Sequence, residues 1–104
     1  MLNETTVAQI KDILLSGLPL NKIILFGSQA RGTADERSDV DLLVLTPNIN
    51  DRYALMRELR GKLLPLKYAF DVIAVTPEEY ERDREIPGTI SRYASLEGEI
   101  IYET

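Results

Sequence analysis

Leu25-Phe26-Gly27-Ser28-Gln29-Ala30-Arg31-Gly32 begins the stretch that decides how this chain is read, and Asp39-Val40-Asp41-Leu42-Leu43 ends it. Residues 22–26 (KIILF) are a short apolar, β-branched run bounded by Asn21 and Gly27, the pattern of a buried strand and not of a helix. Residues 40–46 (VDLLVLT) repeat that pattern and stop at Pro47-Asn48. Between them lies a polar, glycine-containing segment, residues 29–38, whose start has room for a single helical turn. The unit therefore reads strand, glycine turn, loop, strand.

Outward from this unit the signals alternate between helix and strand. Val7, Ile10, Leu14 and Leu18 fall at helical spacing, which predicts an amphipathic helix over residues 4–16 ended by Gly17 and Pro19. Asn50 is placed to cap a helix in which Leu55, Leu59 and Leu63 repeat before Pro65. Residues 68–76 (YAFDVIAVT) predict a third strand. Thr76-Pro77-Glu78-Glu79 then supplies a cap, a proline at the first helical position and a capping-box acid. Pro87-Gly88 breaks that helix, residues 89–97 resume one as far as Gly98, and residues 99–103 (EIIYE) predict a terminal strand. The expectation is an α/β (α+β) fold, a small mixed sheet flanked by helices, with residues 1–104 as a single domain.

Composition narrows the chemistry. The 104 residues carry 12 Lys+Arg against 17 Asp+Glu, a formal charge of -5, which argues against a surface that tracks nucleic-acid phosphates. An acidic surface instead favours a basic or neutral protein partner, bound more weakly as salt rises. Cysteine and histidine are both absent, so disulfides, thiolate nucleophiles, zinc sites built on Cys or His and every His-dependent catalytic triad are excluded. Carboxylates remain as metal ligands. With no leader-like start and no apolar run long enough to span a bilayer, the expected compartment is the cytoplasm.

Three features could carry chemistry. Gly27-Ser28 directly follows a predicted strand, so backbone N–H groups and the Ser28 hydroxyl could meet one anion; the plainer reading is a turn glycine and a helix-capping serine. Asp39 and Asp41, two residues apart at a strand entry, would share a face at the lip of the core. Aspartate is a poor strand former and two like charges repel, a penalty that a divalent cation would reverse; the plainer reading is a solvated strand entry. Asp71 sits inside the apolar run of the third strand, on a face with Ala69, Ile73 and Val75, where a buried acid needs either a structural ion pair or a cation. If the third strand neighbours the second, the three aspartates become one set of oxygens suited to Mg²⁺.

Taken together, Gly27-Ser28, then Asp39-Val40-Asp41 and a later strand with Asp71, resemble the nucleotidyltransferase signature of the DNA polymerase β superfamily. The fuller strings GSQARG and SDVDLLV, and the tail from Tyr80 through Gly98 to Glu103, are similar to the minimal nucleotidyltransferases, antitoxins of two-component systems paired with a HEPN-domain ribonuclease. The resemblance implies a polymerase β-like fold and transfer of a nucleoside monophosphate, AMP from ATP, to a partner protein's hydroxyl. It also implies phosphate binding by Ser28 and the Gly27 backbone, two Mg²⁺ on Asp39 and Asp41 with Asp71 completing one site, and deprotonation of the acceptor helped by Asp71. Arg31 would neutralise triphosphate charge or, more plainly, be a helix-surface arginine.

Two other readings stand beside transfer to a protein. A binding-only antitoxin would neutralise its partner by occlusion, but it has no physical need for three aspartates in costly positions. Nucleotidylation of a small molecule would need a lobe to hold the acceptor, and 104 residues leave no room for one, so another chain, the partner or a second copy, has to enclose the acceptor.

Overall fold

The structure, a computed structural model, describes residues 2–32 and 39–104. Its elements in chain order are α1 (Glu4–Leu15), β1 (Lys22–Phe26), α2 (Ser28–Arg31), β2 (Val40–Leu45), α3 (Arg52–Leu63), a 3₁₀ turn (Leu64–Leu66), β3 (Phe70–Val75), α4 (Pro77–Asp83), α5 (Ile90–Glu97) and β4 (Glu99–Glu103). The strands form one sheet in the order β3-β2-β1-β4. β1 pairs antiparallel with both β2 and β4, whereas β2 and β3 run parallel through the α3 crossover, which makes the sheet mixed as expected. Among the described residues no helix is long and apolar enough to cross a membrane.

Alternation along the strands sorts the core into two layers. Ile23 and Leu25 of β1, Val40, Leu42 and Val44 of β2 and Val72 of β3 face Ile10 and Leu14 of α1 and Leu59 and Leu63 of α3. Ile24 and Phe26, Leu43 and Leu45, with Ile73 and Val75 partly buried, face Tyr80 of α4 and Ala94 of α5. Asp41 and Asp71 fall in the rows of this second layer, one step beyond its last apolar residues.

The structure shifts several predicted boundaries. α1 ends at Leu15, one residue before the predicted end. The cap of α3 is Asp51, whose side chain accepts from the Ala54 N–H at 3.0 Å, and not Asn50. β3 begins at Phe70 because Lys67 adopts a left-handed conformation (φ 61°) that closes the 3₁₀ turn and delays the strand. β3 is also an edge strand, so the apolar run that reads as fully buried is covered on one flank only. The predicted loop over residues 29–38 is described as far as Gly32, and residues 33–38 lie outside the described residues.

Two contacts fix α4 and α5 over the second layer. Thr76 and Glu79 complete the predicted capping box of α4, and Arg52 at the start of α3 grips Glu79 through both guanidinium nitrogens at 3.0 and 2.8 Å while donating to the Ala74 carbonyl at 2.7 Å. At the far end, a Cβ on Gly98 would run into the Ala94 carbonyl and the Ile24 side chain, so α5 comes down on β1 at a separation only glycine allows. Gly98→Ala is expected to lower stability by about 1–3 kcal/mol, the usual size of an overpacking penalty, read as a fall in the urea midpoint.

The hydrogen bonds from Arg52, and then the Thr76 N–H, hold the Glu79 carboxyl below the usual glutamate range. A lowered folded pKa stabilises the fold above the unfolded glutamate value and loses that contribution as pH falls through the folded one. The pair is partly exposed, so its worth is about 0.5–1 kcal/mol. Glu79→Gln should therefore lower the urea midpoint at pH 7, and the gap to wild type should narrow as pH falls through and below the usual glutamate range.

Candidate active site

The carboxylate end of the sheet is set by register. β2 and β3 start side by side, the Val40 N–H donating to the Ala69 carbonyl at 2.8 Å, and from there Asp41 pairs with Asp71, Leu43 with Ile73 and Leu45 with Val75. Neighbouring strands lie about 4.8 Å apart, and paired residues in a parallel ladder point to the same face. The condition that the third strand lie beside the second, which the sequence leaves open, is thus met. The expectation of a buried acid is not: on an edge strand Asp71 is exposed, and among the described residues it takes part in no ion pair. Asp39 lies one residue before β2 and is exposed, so it belongs to the approach to the strand and not to its ladder.

On the other flank of Asp41 stands the glycine turn. Phe26, the last residue of β1, pairs with Asp41. Gly27 follows with φ 73°, and a Cβ there would collide with the Asp41 carboxylate. Glycine is needed twice at this position, for the backbone conformation and for the space the carboxylate fills. α2 then makes one turn, with the Ala30 and Arg31 N–H groups both donating to the Gly27 carbonyl at 3.1 Å. Gly27 occupies the cap position and has no side chain to cap with, so Ser28 is the first helical residue and not the capping serine of the plainer reading.

The electrostatics show the crowding. The Asp41 carboxyl is lifted above the usual aspartate range, first by partial burial and then by the negative charges of Asp71 and Asp39, while Arg31 pulls the other way. Among the described residues no three acidic side chains are drawn together tightly enough to cage an ion as they stand. The donor set nevertheless fits a hard cation: every ligand is a carboxylate oxygen, the charges repel one another, and the Asp41 carboxylate packs against the bare Gly27 backbone. Asp39, Asp41 and Asp71 are the residues that could hold one.

Arg31 reaches away from α2 to α5. Its Nη1 donates to the Tyr93 hydroxyl and to the Glu97 carboxylate at 3.3 Å, and its guanidinium carbon lies 6.0 Å from the Tyr93 ring centroid. The Tyr93 ring meets Phe26 edge-on at 6.1 Å. The hydrogen bond to Glu97 lifts the Tyr93 hydroxyl above the usual tyrosine range. Sequence reasoning singles out neither Tyr93 nor Glu97. Their one usable signal was a spacing of one helical turn just ahead of Gly98.

Comparison with known families matches residues 7–97 to the nucleotidyltransferase domain. The chain belongs to the nucleotidyltransferase domain family. A Methanocaldococcus jannaschii relative of this nucleotidyltransferase, named "Putative protein adenylyltransferase MJ0604", is 36% identical over 83 residues, which cover 80% of this chain and 79% of that protein. Among solved structures, a toxin-antitoxin complex with AMP-PNP superposes with a TM-score of 0.63 at 23% identity, covering 99% of this chain and 75% of the other. A complex of tri-AMPylated Shewanella oneidensis HEPN toxin with MNT antitoxin gives 0.63 at 20% identity, covering 97% and 72%. At these identities the likeness to the two structures is one of fold.

In this nucleotidyltransferase, Gly27→Ala should cost about 1–3 kcal/mol through backbone strain and collision with Asp41. In an Asp41→Ala background only the strain remains, so the same substitution should cost less. Equal penalties in the two backgrounds, measured by urea unfolding, would show that Gly27 and Asp41 are not in contact.

Proposed function

We propose that this nucleotidyltransferase moves AMP from ATP to a hydroxyl of a HEPN-type ribonuclease partner in the cytoplasm and thereby acts as its antitoxin. The observation that carries the reading is the register that sets Asp41 opposite Asp71 with the side-chain-free Gly27 against the Asp41 carboxylate. The arrangement is costly to the fold and fits the needs of phosphoryl chemistry. The adenylyltransferase name of the Methanocaldococcus jannaschii relative supports the reaction, and the AMPylated HEPN toxin held by a nucleotidyltransferase of the same fold supports the partner.

In this reading Ser28 and the Gly27 backbone hold the β and γ phosphates, and Arg31 neutralises part of their charge. Asp39 and Asp41 would hold two Mg²⁺, with Asp71 completing one site. Bound there, the ions would stabilise the attacking and leaving oxygens of an in-line displacement. The acceptor hydroxyl attacks the α phosphorus, the bond to the α–β bridging oxygen breaks, pyrophosphate departs, and the hydroxyl proton passes to the Asp71 carboxylate, a role that its exposure on the edge strand supports. Because the sheet edge at Asp71 is open, the partner supplies the wall that encloses the acceptor. The chemistry asks for no direct nucleic-acid contact.

The test is co-expression with a HEPN-type ribonuclease from the same genome, followed by intact-mass measurement of that partner. The expected result is added mass in steps of one AMP, absent with Asp39→Asn or Asp41→Asn. A partner that is fully inhibited yet unmodified would replace transfer by occlusion. Ser28→Ala should slow transfer or weaken nucleotide binding by about 1–3 kcal/mol, the size of a hydrogen bond to a charged group.

A further inference from the structure

We propose that Tyr93 and Glu97 of α5 are positioning residues for Arg31, holding one corner of its guanidinium so that the other N–H groups stay turned toward the bound triphosphate. The inference rests on Arg31 as a nucleotide-contacting residue and names what makes it effective.

A free arginine on a one-turn helix samples many rotamers, and a ligand that recruits it must first order it. In this molecule the ordering is already in place. Tyr93 and Glu97 lie one helical turn apart on α5, on the same face, and both accept from Nη1 of Arg31. Both contacts use Nη1, and Nη2 and Nε are the remaining donors of the planar fork that can face phosphate oxygens.

The anchor is itself fixed. Ser91 and Ala94 are buried on an adjoining face of α5, and Gly98 presses the end of the helix onto β1 with no room for a Cβ. The Tyr93 ring stands edge-on to Phe26, the strand residue paired with Asp41. Arg31 is near enough for its charge to act on Asp41 in this tethered position. The end of β1 and the α2 turn that follows it thus meet α5, 62 residues further on, around one guanidinium at the rim of the carboxylate end. Arg31 and Glu97 are each about two-fifths exposed, 40% and 41%, so the effect will be modest.

The experiment measures binding of AMP-PNP with Mg²⁺ to the full chain by calorimetry, which needs no acceptor. Wild type, Arg31→Ala, Tyr93→Phe, Glu97→Gln and the two doubles with Arg31→Ala are compared, after melting curves confirm that each is folded. Tyr93→Phe keeps the ring against Phe26, and Glu97→Gln keeps the shape of the side chain. The expected result is about tenfold weaker binding for Arg31→Ala and about threefold to tenfold for each of the other singles. In the Arg31→Ala background neither should add a further loss, because a positioning residue has nothing left to position.

Wild-type affinity in Tyr93→Phe and Glu97→Gln, beside weakened Arg31→Ala, overturns the proposal and leaves the contact a surface ion pair. The same loss with and without Arg31 also overturns it, since the two residues then act through the fold. Wild-type affinity in Arg31→Ala removes Arg31 from the nucleotide site and the proposal with it, and leaves the assignments of Ser28 and the aspartates untouched.

Discussion

The parallel pairing of β2 with β3 is the constraint on which the carboxylate end depends. It puts two aspartates side by side on one face, and nothing in the local sequence makes that favourable: the charges repel, and aspartate is a poor strand residue. The pairing holds because the rows behind are apolar. Leu43 beside Ile73 and Leu45 beside Val75 lie under Tyr80 and Ala94, and a register slip of one residue would send that whole set to the other face. The acids are therefore carried by their neighbours, and the strain is concentrated at the edge of the core.

The same helices that cover those rows also shape the mouth of the site. α4 is fixed by the grip of Arg52 on Glu79, and α5 by the close approach of Gly98 to β1. Their placement leaves Tyr93 and Glu97 facing Arg31 while Asp71 stays open at the sheet edge. In the proposed function, a chain of 104 residues thus builds one wall of the nucleotide site and part of its rim, and the open edge is the side from which an acceptor would approach.

Much of this was legible in the sequence wherever the signal was local. Residues 22–26 read as β1 because a β-branched run between Asn21 and Gly27 has few other solutions, and Thr76-Pro77-Glu78-Glu79 read as a helix start because cap, proline and acid agree. Gly27, Asp41 and Asp71 were legible as one set only through the resemblance to the nucleotidyltransferase signature, since the pairing of strands joined by α3 is a long-range event. The exposure of Asp71 was not legible. The run YAFDVIAV has the composition of a central strand, and only the sheet order makes it an edge. Arg31 with Tyr93 and Glu97 escaped for a similar reason: the partners are 62 and 66 residues away, and no periodicity links a one-turn helix to the last helix of the chain.

The central claim is that the crowded carboxylates form a cation site and are not merely a polar strand entry. The most direct measurement is the melting temperature of the full chain against Mn²⁺ concentration, for wild type and Asp41→Asn. The account predicts that wild type gains stability as Mn²⁺ rises, because an ion that binds only the folded state stabilises it by mass action. Asp41→Asn should begin at or above the wild-type melting temperature, relieved of repulsion, and should not respond to the ion. The same Mn²⁺-dependent rise in both proteins, or a clear loss of stability in metal-free Asp41→Asn, would contradict it.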